Sequence, residues 1–549
     1  MADATMDTAL PAPLPADYVA PRTVFAFIVM VFGMFMAILD IQVVSSSLSQ
    51  IQAGLSAGSD EIAWVQTSYL IAEVIMIPLS GTLGRIMSTR MLFTISAAGF
   101  TFASFLCSTA TNIDQMIVYR AFQGFIGGGM IPSVFAAAFT VFPASKRSIV
   151  SPIIGLIATL APTIGPTVGG YLTDTLSWNW LFLINIGPGI LVAIGAWLLI
   201  DFDKPDLSLM KKFDWWGLLA MAAFLGGLEY VLEEGPSNDW LNDRAVLYVA
   251  IAMVTGAVVF FWRAFTAEFP IVDLRAFTNA NFAFGSIFSF VLGIGLYGLT
   301  YIYPLYLARI RGDDSMMIGE TLFISGLVMF LTAPIAGALS NRMDLRVMMM
   351  IGFFAFAIGT WEATQLTADW TFGELLVPQV FRGFGLMLCM VPINNLALGT
   401  LAPQRMKGAS GLFNLTRNLG GAVGLALINS ILIDRNALHH ERLAEHVNWN
   451  NRAAIDQLSS MTRSYDMHGL DGAKAATRQL VNMVVQQAYV MSFIDVFLLL
   501  TVLFGGLGIF SLLMKKPGAG GGGAGGPAPR AARGGRLSQR PQHHPPPPP

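Results

Sequence analysis

Apolar runs of about twenty residues recur along almost the whole chain, and they limit the possible folds more strongly than any single motif. The runs are centred near Phe35, Val74, Ala98, Gly127, Ala161, Val192, Phe224, Val254, Val291, Val328, Ala355, Met387, Leu425 and Leu503. A helix of about twenty apolar residues is long enough to cross the hydrocarbon core of a bilayer. The pattern therefore predicts an all-α integral membrane protein with about fourteen spans.

The composition agrees with a chain that has lipid as its main surroundings. Only 12% of the 549 residues are charged and 54% are hydrophobic, whereas soluble domains contain about 25% charged residues. The formal net charge is −2, so the chain lacks the basic surface that nucleic acid binding requires. We expect the lipid bilayer, and no nucleic acid, among its partners.

The distribution of basic residues predicts the orientation in the membrane. An even number of spans places both termini on the same side. The short segments on that side contain sixteen Lys and Arg residues, and the opposite short loops contain three. Basic residues mark cytoplasmic loops, and long loops such as 434–487 do not enter this count. We therefore expect both termini to be cytoplasmic in the inner (plasma) membrane.

Two sequence stretches recur at half-chain spacing. Residues 78–83 (PLSGTL) are echoed by 334–339 (PIAGAL), and 122–124 (FQG) by 381–383 (FRG). Such a repeat is typical of transporters built from two helical bundles with the substrate path between them. The predicted division is a cytoplasmic tail 1–22, a six-helix bundle 23–202, a linker 203–266 with two inserted spans, a second six-helix bundle 267–516 with the outer loop 434–487, and a disordered Gly/Pro-rich tail 517–549.

Ionisable residues inside the apolar runs point to a function. Asp40 lies in the run from 24 to 44, where a carboxylate costs roughly 2.5 to 3.5 kcal/mol on insertion scales. Later runs contain Glu73, Arg120, Glu229, Glu362, Arg382, Arg417 and Asp495. Intramembrane carboxylates face the bundle interior almost by default, so we interpret the chain as a transporter with buried charged groups.

Four motifs in order resemble those of a known family. Residues 120–124 (RAFQG), 165–170 (GPTVGG), 178–185 (WNWLFLIN) and 411–418 (GLFNLTRN) are similar to signature motifs of the major facilitator superfamily. With fourteen spans, the chain most resembles the fourteen-span drug:proton antiporters, in particular Emr-type multidrug export permeases, over about residues 22 to 516. The resemblance implies two six-helix bundles plus two inserted helices, and proton-coupled export of drugs or other lipophilic small molecules by alternating access.

The resemblance also assigns roles to residues. It implies a proton-linked role for Arg120, and their intramembrane position makes Asp40 and Glu73 the candidates for proton coupling with it. It implies an antiporter motif formed by Pro162, Gly165, Pro166, Gly169 and Gly170. It implies a gating loop with Gly81, Leu83, Arg85 and Arg90. The family usually has an acidic residue in this loop where Arg85 stands here, so the acidic partner of a salt-bridge gate is missing from the motif.

The spacing of the polar residues supports these roles and leaves alternatives open. Arg120, Gln123 and Gly124 share one helical face, and Asp40 and Glu73 compete for the proton. Candidates for the substrate path are Tyr69, Gln123, Glu229, Asn414 and Arg417. The alternatives are a structural ion pair for Arg120, a packing role for Asp40, a solvated face around Glu229, and a structural or gating role for Arg417.

Other functional classes lack their sequence signatures. An ATP-driven pump needs GxxxxGK[ST], which is absent from the sequence. All six histidines fall in the outer loop or the tail, and Cys107 and Cys389 form no CxxC, so we expect no enzyme, no metal site and no cofactor. A channel or receptor is less consistent with the repeat and the buried carboxylates. The remaining alternative is a proton-coupled transporter of one metabolite, such as a vitamin, siderophore or amino-acid derivative.

The long outer segment 434–487 suggests a partner. Leu438, Leu443 and Val447 are interleaved with charged residues at helical spacing. Together with the resemblance, this pattern suggests docking to a periplasmic membrane-fusion adaptor and, through it, to an outer-membrane channel. The alternative is a solvated loop that only caps the outer end of the bundle.

Overall fold

The computed structural model describes residues 19–58, 61–313, 315–448, 450–467 and 471–513. Within these ranges fourteen helices are long and apolar enough to cross a membrane. In chain order, spans 1 to 14 are Pro21–Ser46, Trp64–Met87, Thr89–Ser108, Ile113–Val141, Ala144–Thr175, Trp180–Leu199, Trp215–Glu234, Arg244–Thr266, Ala280–Arg311, Met316–Arg342, Leu345–Gln365, Phe372–Leu398, Pro403–His446 and Gly472–Leu512. The described residues contain no strand, so the predicted all-α membrane fold with fourteen spans is confirmed.

Local sequence signals explain where several of the spans begin. Span 1 starts at Pro21, because proline is well accommodated in the first turn of a helix. The Asn112 side chain accepts a hydrogen bond from the Gln115 amide (2.9 Å) and caps span 4. Span 12 begins with a capping box of Thr371 and Glu374.

The two bundles, spans 1–6 and spans 9–14, meet mainly where span 5 packs against span 10 and where spans 2 and 4 pack against span 13. Gly337 of span 10 lies so close to span 5 that a Cβ atom there would be 2.3 Å from the Ser148 carbonyl oxygen. Gly319, at the other end of span 10, faces Thr167 of span 5. The contact between spans 5 and 10 therefore extends along most of their length.

The two inserted helices have different surroundings. Span 7 packs against span 2 and also contacts span 13, whereas span 8 packs chiefly against span 7. Gly226 of span 7 faces Ile71 and Ile75 of span 2. Span 7 thus lies against the seam between the two bundles, and span 8 lies outside it.

The segment between the last two spans is helical over much of its length. The helix of span 13 continues to His446, a separate helix covers Arg452–Met467, and the helix of span 14 starts at Gly472. The Arg452–Met467 helix packs on the helix of span 14. Leu438 and Leu443 are half-buried and Val447 is exposed.

The described helices from span 1 to span 14 pack as one compact unit, and the predicted boundaries after residues 202 and 266 therefore stay a prediction. Residues 1–18 of the predicted N-terminal tail lie outside the described residues. The same is true of the predicted tail 517–549.

Candidate functional site

Asp40 and Arg120 form an ion pair in the interior of the first bundle. The Nη1 atom of Arg120 lies 2.6 Å from Oδ2 of Asp40, and both side chains are fully buried. Such a pair has lost the hydration of both charges, and it is stable only if further hydrogen bonds satisfy the remaining atoms.

Two amide side chains supply those bonds to Asp40. Asn185 of span 6 donates to Oδ1 (2.7 Å), and Gln123 donates to the same oxygen (3.2 Å). Gln123 accepts in turn from Arg120 Nη1 (2.7 Å) and donates to Ser104 Oγ (2.9 Å). Asp40 is therefore held by donors from spans 4 and 6.

Arg120 is fixed on its other sides by span 2. Its Nε donates to the Val65 carbonyl oxygen (3.2 Å), and its guanidinium lies 4.2 Å from the centre of the Tyr69 ring. Within the described residues, its Nη2 atom has no hydrogen-bond partner. One donor of this guanidinium is thus left available inside the bundle.

The glycine next to this network explains how spans 2 and 4 come so close. A Cβ atom on Gly124 would be 2.3 Å from the Tyr69 carbonyl oxygen. Because Arg120, Gln123 and Gly124 share one helical face, this close approach brings both polar side chains to the centre of the bundle. The structure thus brings Asp40, Arg120, Gln123 and Tyr69 together in one polar cluster.

Glu73 lies one turn after Tyr69 but has a different environment from Asp40. It is 3% exposed, and its Oε1 atom has no hydrogen-bond partner among the described residues. Arg120 and Asp40 are close enough to interact with it electrostatically. The site thus contains one paired carboxylate and one unpaired carboxylate.

The second bundle repeats the polar arrangement without the carboxylate. In span 12, Nη1 of Arg382 donates to Gln379 Oε1 (3.2 Å), again at a spacing of three residues but in reversed order. Its Nη2 donates to Thr300 Oγ1 (2.6 Å), so a hydroxyl accepts the bond that a carboxylate accepts in the first bundle. Gly383 approaches the Ser325 carbonyl oxygen as Gly124 approaches that of Tyr69.

The predicted antiporter motif lies where span 5 touches span 1. A Cβ atom on Gly165 would be 2.4 Å from Gln42 Cβ, and one on Gly169 would be 2.7 Å from Ser46 Oγ. Pro162 and Pro166 lie inside a continuous helix, and Gly170 is buried beside them. The motif thus lets span 5 pack closely against the helix that contains Asp40.

The residues of the predicted gating loop lie in helices and not in a loop, with Gly81, Leu83 and Arg85 at the end of span 2 and Arg90 at the start of span 3. Gly81 contacts the other bundle. A Cβ atom on Gly81 would be 2.8 Å from Gly408 Cα in span 13. Arg85 lies over the Phe269 ring and Arg90 over the Trp197 ring. Leu83 is half-buried.

An ion pair between Asp203 and Lys407 lies at the same end of the molecule. The pattern of charges along the sequence did not reveal it. The sequence contains one indirect signal for this pair. The loop motif lacks its acidic residue, and an acidic residue, Asp203, follows span 6. Asn185 was also missed as a ligand of Asp40, although it ends one of the four motifs.

The last two substrate-path candidates belong to a separate group in span 13. Asn414 donates to the Ser410 carbonyl oxygen of its own helix (2.9 Å). Arg417 donates to Asn394 Oδ1 (2.9 Å) and Ser289 Oγ (3.3 Å). Glu229, in contrast, is buried and close enough to Glu73 for electrostatic interaction. No group of three or more His, Cys, Asp or Glu side chains suited to a metal ion occurs in the described residues.

Comparison with known proteins agrees with this architecture. Residues 30–425 match the Major Facilitator Superfamily. The chain is 41% identical to the colistin resistance protein EmrB of Acinetobacter baumannii, over 87% of this chain and 93% of that protein. It is 27% identical to the multidrug export protein EmrB of Haemophilus influenzae, over 88% of this chain and 94% of that protein.

A solved structure shows the same fold at low sequence identity. The human organic anion transporter MFSD10 (TETRAN) superposes with a TM-score of 0.54 at 12% identity, covering 88% of this chain and all of that one. Sequence and fold thus agree. The chain belongs to the Major Facilitator Superfamily and is a multi-pass membrane transporter related to Emr-type export proteins.

Proposed function

We propose that this transporter exports drugs and other lipophilic small molecules across the inner (plasma) membrane, driven by protons and by alternating access. The relatives named above are a colistin resistance protein and a multidrug export protein, which supports drugs as the substrate class. Proton coupling is the part of the proposal that the geometry of the polar site supports.

The observation that carries the proposal is the difference between Asp40 and Glu73. Asp40 accepts hydrogen bonds from Arg120, Asn185 and Gln123, and these bonds stabilise its charged form. Glu73 is equally buried but lacks a partner for Oε1 among the described residues. We therefore assign proton binding to Glu73, and to Asp40 the role of holding Arg120.

Arg120 provides a physical link between a proton and a change of conformation. When Glu73 loses its proton, the new negative charge attracts the guanidinium, whose Nη2 donor has no partner in the described part of the chain. The Arg120 guanidinium must then interact with both Asp40 and Glu73. Because Asp40, Glu73 and Arg120 lie on spans 1, 2 and 4, this shift changes the contacts among three helices of one bundle.

The polar residues of the second bundle support the proposal that the proton binds in the first bundle. Thr300 stands where Arg382 could have met a carboxylate, and a threonine hydroxyl does not ionise near neutral pH. The polar group of the second bundle therefore serves for packing or substrate contact in this proposal.

The proposed orientation places both termini and the Asp203–Lys407 pair on the cytoplasmic side. The support is the excess of Lys and Arg in the short loops on that side. At this end Arg147 of span 5 also donates to the Gly399 carbonyl oxygen after span 12 (3.2 Å). In this proposal the described conformation is closed towards the cytoplasm.

We also propose that segment 434–487 docks to a periplasmic membrane-fusion adaptor and, through it, to an outer-membrane channel. The support is that the segment is helical: the helix of span 13 continues into it, the Arg452–Met467 helix follows, and the helix of span 14 begins within it. Val447, Val481 and Met483 are exposed there and could contact a partner. Shortening the segment should spare transport in proteoliposomes and abolish drug resistance in cells that have two membranes; unchanged resistance would exclude this docking role.

The proton assignment can be tested in proteoliposomes with an imposed pH gradient. The Glu73→Gln variant should fail to accumulate an uncharged substrate against its gradient but should still exchange that substrate at equal concentrations, because exchange requires no net proton movement. Glu362→Gln is the matched control, since Glu362 is an exposed carboxylate at the end of span 11. A full substrate gradient built by the Glu73→Gln variant would exclude Glu73 as the proton carrier.

A further inference from the structure

Glu229 of span 7 and Glu73 of span 2 lie on neighbouring helices within about one turn of the same level, because Gly226 faces Ile71 and Ile75. Each is fourteen residues from one helix end, Trp215 in span 7 and Met87 in span 2, which is about 21 Å along the axis. These two ends lie on the same side, because the amide of Asp206, in the connection that leads into span 7, donates to the Ile86 carbonyl oxygen (3.0 Å). The two carboxylates are close enough to interact electrostatically.

Both carboxylates are buried, and neither has a cation to balance it. Glu73 is 3% and Glu229 is 6% exposed. Among the described residues no Lys, Arg or His comes within 4.0 Å of either carboxylate. The two nearby guanidinium groups have other main partners, since Arg120 is paired with Asp40 through Nη1 and Arg417 is bonded to Asn394.

Such an arrangement is costly in its charged form unless protons or a cationic ligand compensate for it. Two buried carboxylates repel each other and have lost their hydration. Intramembrane acidic residues normally pair with a cation or mark the path of one. A positively charged ligand between Glu73 and Glu229 would remove both costs at once.

Two tyrosines next to the carboxylates suit the apolar part of such a ligand. The Tyr69 side chain is fully buried, and its hydroxyl has no partner in the described part of the chain. Tyr297 of span 9 lies near both Glu73 and Glu229, and its hydroxyl contacts Asn418 Oδ1 (3.1 Å), which fixes the ring. Aromatic faces attract organic cations.

We propose that Glu73 and Glu229 together bind a monovalent lipophilic organic cation as transported substrate, with Tyr69 and Tyr297 against its apolar groups. The inference rests on the proposed export function and names a substrate class for it. It also gives the inserted span 7 a direct role, because that helix contributes one of the two carboxylates.

Since Glu73 is also the proposed proton carrier, the cation and the proton compete for it. Binding of a proton to Glu73 would release the cation, and binding of the cation would release the proton, so the two would be exchanged during transport. The charged and titratable groups that face the two carboxylates or Tyr297 are Glu233 on span 7, Tyr69 on span 2, Asp40 on span 1, Arg120 on span 4 and Arg417 on span 13.

The test is equilibrium binding of tetraphenylphosphonium to the purified full-length protein in detergent at one fixed pH. Glu229→Gln removes the charge while keeping the shape, and it should weaken binding at least about ten-fold. Glu229→Asp keeps the charge and should bind more tightly than Glu229→Gln. Glu234→Gln is the matched control on the same helix, because Glu234 contacts Asn238 at the helix end, and its affinity should equal that of the wild type.

A second measurement does not depend on the folding of any variant. The wild-type protein should bind tetraphenylphosphonium at least about ten-fold more tightly than the neutral triphenylphosphine oxide. Equal affinities for the two probes, or unchanged affinity in Glu229→Gln, would overturn the inference. Binding needs no pH gradient, so a lack of proton-driven export in proteoliposomes would contradict the proposed function and leave this result intact.

Discussion

Lys407 at the start of span 13 places its ammonium group against the Asp203 carboxylate, which follows span 6. The same ammonium donates to the Gly84 carbonyl oxygen at the end of span 2 (2.7 Å). The pair therefore joins the two bundles at the end where Arg85 replaces the acidic residue expected in the loop motif. Asp203, which lies outside that motif, supplies the acidic partner of the ion pair between the two bundles.

Loss of this pair should shift the conformational equilibrium towards separation of the bundles at this end. The two side chains are 22% and 23% exposed, so Asp203→Asn should cost the closed form about 1 kcal/mol, an about five-fold change in population. Spin labels at positions 146 and 404, which lie on opposite bundles, report the distance. Lys212→Met is the control because its exposed pair with Glu268 does not join the bundles; an equal shift in both variants would contradict this role.

Gly81 and Gly84 should respond differently to the same substitution. A Cβ atom on Gly81 would lie 2.8 Å from both Gly408 Cα and the Lys407 carbonyl oxygen, and backbone atoms cannot move aside as a side chain can. A Cβ atom on Gly84 would make only ordinary contacts, 3.5 Å from Leu92. Gly81→Ala should thus widen the distance between labels 146 and 404 and slow export, whereas Gly84→Ala should do neither. Similar behaviour of both variants would refute the close contact.

Asn185→Leu tests the hydrogen bond to the buried Asp40 carboxylate. A bond to a charged group contributes about 1.5 to 3 kcal/mol, so the free energy of unfolding should fall by about 2 kcal/mol. Asn179→Leu is the control because Asn179 donates to a neutral acceptor, the Ser108 carbonyl oxygen (2.8 Å), and should cost about 1 kcal/mol. Chemical unfolding in mixed micelles measures both. Equal losses would mean that the charge of Asp40 adds nothing to the bond.

Arg120→Lys should restore only part of the function that Arg120→Ala abolishes. A lysine can reach Asp40, but it lacks the planar fork that also donates to Val65 and stacks on Tyr69. We expect proton-driven export to be at least about ten-fold slower in Arg120→Lys than in the wild type. Initial rates in proteoliposomes decide the point, and wild-type rates would show that a positive charge alone is sufficient.

The proposed topology predicts which positions an impermeant thiol reagent can reach in whole cells. A cysteine introduced at His440 should be labelled, whereas one at Lys146 should be labelled only after the membrane is permeabilised. The native Cys107 and Cys389 are buried and should give little background. Labelling at position 146 and not at 440 would invert the orientation.

The number of spans and the fold class could be predicted from the sequence, because hydropathy is a local property that is averaged over about twenty residues. The half-chain repeat, which predicted two bundles, contains Gly124 and Gly383, and the structure gives these two glycines similar close contacts. The polar candidates were also identified, since a charged residue in an apolar run stands out without any knowledge of its neighbours.

Only the tertiary structure decided how these residues pair. Arg120 and Asp40 are 80 residues apart, and Lys407 and Asp203 are 204 apart, so no local pattern relates them. Their contacts depend on the rotation and approach of whole helices, which the packing of all the spans determines together. The same reason explains why Glu229 is buried beside Glu73 while Glu233 and Glu234 on the same helix are only half-buried. The sequence determined the helical spacing of the three carboxylates. The position of span 7 against span 2 decided which of them faces inward.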